Sequence, residues 1–381
     1  MHSEDITILK EQSTFMDTYR FFDFDFSIRS DSERVLGVFM DIFGRFHTNR
    51  HGTELAYYIL NKGSSFGLCA VIVDDRMYTV EEPDDLIGYA YMKIMDSALS
   101  RVLSHYLFHA AALSFNDKGI ILPATSRSGK TTLTLELIKR GFNFLSDDVA
   151  AISKSDRLLY PFPKGIGMLP STLELYPEAE LDSLGSLPMI GGGEKKLLDI
   201  GAIYPGRIGG ACQVKYLVFL GFEPEIKREI KGDEYLYIVI NRITEELLSD
   251  IRSAEGVKDV SIYPYKKYPI IKLLLNGKGP VLSHVEEVCQ RHQVLIFDSS
   301  NGKEKKVDFS GIPKLERIPK SIASIELLKR LKGVALLRDK HKSKITELIM
   351  NLGRFLEGVE CFYLTPGRLK ESADKICELT S

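Results

Sequence analysis

Between Lys118 and Ile152 the sequence reads KGIILPATSRSGKTTLTLELIKRGFNFLSDDVAAI, and few backbones satisfy it. The apolar run Gly119–Pro123 has the length of a buried strand. A loop of small and polar residues, Ala124–Thr131, follows. Thr132–Arg140 then predicts a helix with Leu133, Leu137 and Ile138 on one face, and Gly141 stands where a helix-ending glycine belongs. Phe142–Leu145 predicts a second strand that delivers Ser146-Asp147-Asp148 at its carboxyl end. The result is a strand–loop–helix–strand unit with an anion-binding loop at its first turn.

A phosphate-binding loop of this kind reads G-x-x-x-x-G-K-[ST], and here Ala124 takes the first glycine position while Gly129, Lys130 and Thr131 fill the others. Backbone N–H groups and a helix N-terminus face the phosphates, a lysine reaches the β and γ oxygens, and a hydroxyl meets Mg²⁺. The expected nucleotide-binding residues are Ala124, Thr125, Ser126, Arg127, Ser128, Gly129, Lys130, Thr131 and Thr132. Asp147 and Asp148 supply carboxylates for a metal and for a hydroxyl acceptor's proton. On extended chain their side chains point to opposite faces, one for each task. Upstream, Tyr106–Phe115 predicts a strand turned back at Asn116–Gly119, a hairpin that carries His109 toward the loop. By composition alone His109 reads as a core histidine.

The chain has room for two or three domains at 381 residues, read as an α+β region over 1–97 and a catalytic region over 98–381, with a possible insertion at about 280–340. In the first region Phe21–Ile28 predicts one half-buried strand and Arg34–Phe46 an amphipathic helix. Tyr57–Leu60, Gly67–Val73 and Met77–Val80 predict short strands, and Leu86–Leu103 a linking helix. His47 and His51 read as surface residues. Further on, Tyr160–Pro170 is Pro/Gly-rich and predicts a surface run with Lys164 solvated. Leu187–Lys196 predicts a loop around Gly191–Gly193, and Val214–Phe222 a buried strand. Later strands are expected at Tyr235–Ile240, Val294–Phe297 and Val359–Leu364, helices at Thr244–Ser253 and Gly367–Leu379, and either at Tyr268–Leu275. The basic segments Lys303–Lys306 and Lys329–Lys344 read as solvated faces. A net charge of −2 gives no general attraction to nucleic acid or an anionic membrane. Five cysteines without a CxxC pair, no apolar leader and no run near the ~18 residues of a membrane span predict a cytoplasmic protein.

With these residues together, the chain resembles the catalytic domain of HPr kinase/phosphorylase and the HPr-kinase-related proteins. The likeness rests on His109, fifteen residues before Ala124; on the loop; on the helix ending Ile138-Lys-Arg-Gly141; and on Ser146-Asp-Asp-Val149, whose first aspartate follows Thr131 by sixteen residues. The resemblance implies an α/β fold, a P-loop kinase core of the HPr kinase and phosphoenolpyruvate carboxykinase type. It implies ATP and Mg²⁺, with a hydroxyl acceptor, such as a serine, on a peptide, protein or small molecule. By the same resemblance Asp147 is the base, Thr131 and Asp148 hold the metal, and His109 and Lys130 lie at the transferred phosphate. The expected partners are ATP and the hydroxyl-bearing acceptor, with no nucleic acid and no membrane, and a homo-oligomer is left open. The Glu-Ile-Arg-Gly signature of HPr kinases is absent, and Tyr160–Pro170 stands in its place, a form similar to the related kinases. The competing expectation is a nucleotide-binding switch or scaffold with slow ATPase activity.

Overall fold

The computed structural model describes residues 3–50, 52–61, 69–124, 128–176, 185–221, 234–265, 267–276, 281–301, 309–332 and 342–380. The chain opens with α1 (Ser3–Glu11), the hairpin β1 (Phe15–Phe21) and β2 (Phe24–Ser30), and α2 (Glu33–Phe43). Strands β3 (Leu55–Asn61), β4 (Cys69–Val73) and β5 (Arg76–Val80) complete a five-stranded sheet in the order β1-β2-β3-β4-β5, antiparallel except between β2 and β3. Gly67 of the expected Gly67–Val73 strand lies outside the described residues, as do His51 and Lys303–Lys306.

The single strand expected over Phe21–Ile28 is in fact the end of one strand and most of the next. Phe22 turns the chain with a left-handed φ of 55°, unusual for a bulky side chain. Its ring stacks 4.1 Å from His105, and Arg20 Nε donates to its carbonyl at 2.7 Å. No glycine or asparagine marks this turn, so alternation on both sides merges into one apparent strand.

Helix α3 (Pro83–Arg101) leads to β6 (His105–Phe115) and β7 (Lys118–Pro123). Asn116 and Asp117 join them with φ of 49° and 59°, a turn whose hand matches the twist of a hairpin. Next come α4 (Lys130–Lys139), β8 (Asn143–Ser146), β9 (Val149–Ser153), β10 (Leu159–Tyr160) and β11 (Ile166–Met168). Beyond these lie β12 (Ser186–Pro188), β13 (Glu194–Leu198) and β14 (Gln213–Leu220). Residues 234–301 then form their own unit: β15 (Glu234–Ile240), β16 (Val257–Tyr265), β17 (Tyr268–Leu275) and β18 (Ile296–Asn301) pair in the antiparallel order β16-β17-β15-β18. Helices Glu245–Arg252 and Val281–Arg291 give it a β-α-β-β-α-β order. Tyr268–Leu275, open between helix and strand in the sequence, is a strand. The chain returns through β19 (Leu315–Arg317), helices Lys320–Leu328 and Lys342–Leu356, β20 (Glu360–Leu364) and a last helix, Leu369–Thr380.

The central sheet runs β10-β9-β6-β7-β14-β20-β19, with β8 also on β6. Helix α4 and the last helix cover one face, burying Leu133, Leu137, Ile138, Ala373 and Ile376. Helices Lys320–Leu328 and Lys342–Leu356 cover the other, burying Leu327, Leu348 and Leu352. Strands β7, β14 and β20 are parallel, so their carboxyl ends, Pro123-Ala124, Leu220-Gly221 and Leu364-Thr365, meet at one edge. In such sheets that edge is where ligands bind. The N-terminal residues share one apolar core with this region, where Phe21, Phe26 and Leu86 pack in the same cluster as Leu107, Val149, Phe162 and Phe297.

Two further segments differ from the sequence reading. The Tyr160–Pro170 stretch is not a surface run, because Phe162, Lys164, Ile166 and Met168 are all buried. Its prolines avoid the ladders: Pro161 and Pro163 fall between β10 and β11, and Pro170 opens a short helix. The Leu187–Lys196 segment is a hairpin rather than a loop, since Ser186–Pro188 pairs with Glu194–Lys196 and the glycines make its turn.

Candidate active site

Local chemistry builds the site at the carboxyl ends of β7 and β8. Ala124 bridges to Leu220 on extended backbone, without a left-handed φ, which is why alanine serves in place of the first glycine. Gly129 does take a left-handed φ of 79° and caps α4, and an added Cβ there would lie 3.1 Å from the Phe309 ring. Lys130 and Thr131 therefore form the first turn of α4, two residues earlier than expected, with Ser128 buried beside them. Thr125, Ser126 and Arg127 lie outside the described residues.

Across from the loop, the Ser146 hydroxyl accepts the N–H groups of Asp148 at 3.3 Å and Val149 at 3.0 Å, a serine turn that kinks the chain between β8 and β9. The two aspartates face different partners. Asp148 Oδ1 lies 3.1 Å from Lys130 Nζ and 2.9 Å from His109 Nδ1. Asp147 Oδ1 instead receives Lys164 Nζ at 3.0 Å. His109, Lys130 and Asp148 thus meet in space, and Asp147 adjoins them. Thr131 and Thr132 sit on the same helical turn, and Thr132 lines the cleft described below.

Lys164 is the residue the sequence reading placed wrongly. It is 5% exposed, against a solvated expectation, and its side chain is fixed by Asp147. The signal was present: Phe162, Lys164, Ile166 and Met168 fall at every second position, so Lys164 is in phase with buried side chains. Burial works against its charge, but Asp147, Tyr91 and Asp148 outweigh burial and raise its pKa. For Asp148, burial likewise works against ionisation. The hydrogen bond from His109 and the charges of Lys130 and Lys164 prevail and hold its carboxyl well below the usual range. Tyr91 beside them is pushed up to about 12, chiefly by burial.

A second feature, invisible in the sequence, adjoins the loop. An apolar cleft of about 290 Å³ opens between Gly129 at the cap of α4, Leu133 within it, Leu220-Gly221 at the end of β14, and Leu364–Gly367 at the end of β20, with Phe309 in its lining. The cleft adjoins the N-terminus of α4, whose Gly129, Thr132 and Leu133 are part of its lining. The chemistry of the donors also suits Mg²⁺. Among the described residues no group of three His, Cys, Asp or Glu forms a protein cage. Mg²⁺ needs only one or two protein oxygens, and the Thr131 hydroxyl and Asp148 are the ones that would hold it, with phosphate and water making up the rest of its shell.

Fold and site together define a mixed α/β protein of several sheets, with an anion-receptive helix terminus at the edge of its central sheet. No family model matches the chain, and no curated protein matches it. Among solved structures it is similar to the Hpr(Ser) kinase/phosphatase from Coxiella burnetii, at 17% identity over 49% of this chain and 90% of that one, with a TM-score of 0.20. A TM-score that low defines neither a shared fold nor an equivalent site. Among the described residues no helix is long and apolar enough to cross a membrane.

Proposed function

We propose that the chain is a phosphotransferase that takes the γ-phosphoryl group of ATP to a hydroxyl acceptor. The observation that carries this reading is the meeting of Lys130, at the N-terminus of α4 just past the carboxyl end of β7, with Asp148 and His109. The nucleoside base occupies the cleft under Phe309. The N–H groups of α4 and Lys130 bind the β and γ phosphates. Thr131 and Asp148 would hold Mg²⁺, which would supply neutralisation of phosphate charge, and Lys130, paired with Asp148 here, would turn to the nucleotide. His109 stays oriented by its bond to Asp148 and donates to a phosphate oxygen. Asp147, fixed by Lys164, accepts the proton of the acceptor hydroxyl as the phosphoryl group leaves ADP.

A second reading, a nucleotide-binding switch with slow ATPase activity, draws support from one observation. Asp147 is 7% exposed and already paired with Lys164, so an acceptor must displace or join that pair. Incubation with γ-labelled ATP, Mg²⁺ and an extract of the source cells separates the two. The kinase reading expects label on a discrete acceptor, lost in Asp147→Asn. Free phosphate as the sole labelled product contradicts it.

A further inference from the structure

The N-terminal sheet turns one face to the core and the other to a cavity. Phe26, Ile28, Tyr57, Ile59 and Val71 belong to the apolar cluster shared with the central region. On the opposite face Met16, Arg29, Tyr58 and Ile72 form one row, each in register with the next across β1, β2, β3 and β4. Helix α1 covers part of this face, where Leu9 meets Leu60, Ala70 and Ile72. Beside it opens a cavity of about 600 Å³, walled by that row, by Lys10 of α1 and by the turn Val73–Asp75. Its size is that of a small-molecule site.

Most of the charge around this cavity is already balanced. Lys10 is paired with Asp75, Arg50 with Asp25 at 3.6 Å, and Asp74 with Arg101 at 2.6 Å. Glu54 is exposed to solvent. Arg29 differs. It is half-buried, and its Nε is shut off from solvent with no hydrogen-bond partner among the described residues. Its guanidinium carbon lies 6.0 Å from the centre of the Tyr58 ring, and Lys10 Nζ lies 5.4 Å from the same ring. A guanidinium stays charged at any working pH, so it cannot escape partial burial by losing its proton. A polar or charged group taken from water without a partner is costly, and an anion in the cavity would offset that cost.

We propose that this cavity binds a small organic carboxylate, its head group on the fork of Arg29 and its apolar body against Met16, Tyr58 and Ile72. The parallel donors of a guanidinium match the two oxygens of a carboxylate, and one unpaired cation balances one negative charge. A phosphate dianion asks for a second free cation, and Lys10 and Arg50 already hold Asp75 and Asp25. Met16, 43% exposed, leaves the apolar side of the cavity open to an entering ligand. The site is independent of the phosphotransferase reading.

NMR of protein labelled at its methionine methyls tests the proposal by titration with octanoate, 3-phenylpropionate and N-acetylphenylalanine, the Met16 signal being assigned with Met16→Leu. At least one acid should shift that signal saturably. One charge-assisted contact is worth about tenfold or more in affinity, so the matching amide, and inorganic phosphate, should bind more weakly by at least that factor. Arg29→Met should lose as much, and Arg29→Lys should keep part of the affinity. Removing an uncompensated charge should also leave the urea midpoint of ligand-free Arg29→Met at or above that of the wild type, which an arginine with a purely structural role does not predict. A Met16 signal unmoved by all three acids, equal affinity for acid and amide, undiminished affinity in Arg29→Met, or a midpoint well below the wild type each overturns the proposal. Inorganic phosphate binding as tightly as the acids overturns the assignment to carboxylates.

Discussion

Replacing Lys164 with methionine probes the part of the site that the sequence concealed. The substitution keeps the bulk of the side chain and removes the ammonium 3.0 Å from Asp147. The carboxylate left behind is 7% exposed, and breaking a buried pair from one side costs about 3–5 kcal/mol. Removing both charges in Lys164→Met/Asp147→Leu leaves no orphan and should recover most of that loss, since apolar replacements of buried pairs are often neutral. Urea unfolding followed by far-ultraviolet circular dichroism reads the difference, with the slope checked for constancy. Lys164 adds no pH dependence near neutrality. Its folded-state pKa lies above the ordinary value of about 10.4, so its contribution is complete below that pH and fades only as pH rises through the folded value. The reasoning fails if Lys164→Met unfolds within about 1 kcal/mol of the wild type, or if the double variant is no more stable than the single one.

Three further outcomes follow from the same geometry. Asp148 has a depressed folded-state pKa, so its contribution is present above about pH 4 and lost as pH falls through the folded value. Wild-type stability should therefore fall with acidification, and Asp148→Asn should flatten that slope in urea titrations at several pH values. Gly129→Ala places a Cβ at a φ of 79° and 3.1 Å from Phe309, a cost of about 1–2 kcal/mol, and should weaken ATP binding in calorimetry. Phe309→Ala should weaken ATP by roughly tenfold, in line with the ~1–3 kcal/mol of base–aromatic stacking, and leave inorganic triphosphate binding unchanged.

The parts of the site legible in the sequence are those whose chemistry is local. Gly129-Lys130-Thr131 between an apolar run and an amphipathic stretch declares a strand, a turn and a helix by itself, and Ser146-Asp147-Asp148 declares a turn of carboxylates. The hairpin that brings His109 close was readable from its turn at Asn116. Lys164 was not, because three prolines around it argued for the surface while its two-residue phase with Phe162 and Ile166 argued for the core, and the core won. The Phe22-Asp23 turn was hidden because its aspartate continues the apolar/acidic alternation of the strands on either side, and aromatic packing of Phe22 against His105 and Phe162, far along the chain, helps to hold it. The cleft escaped for a related reason: Leu220, Phe309 and Leu364 are distant in sequence, and only the parallel pairing of β7, β14 and β20 brings them together.

The central claim is that the phosphates of a nucleotide rest on the first turn of α4 between Lys130 and Asp148. Calorimetric titration of Mg²⁺-ATP into the wild type, Lys130→Ala and Asp148→Asn measures it directly. The account predicts one site per chain in the wild type, a loss of about a hundredfold in Lys130→Ala, and a loss of Mg²⁺ dependence in Asp148→Asn. Equal ATP affinity in all three proteins would contradict it.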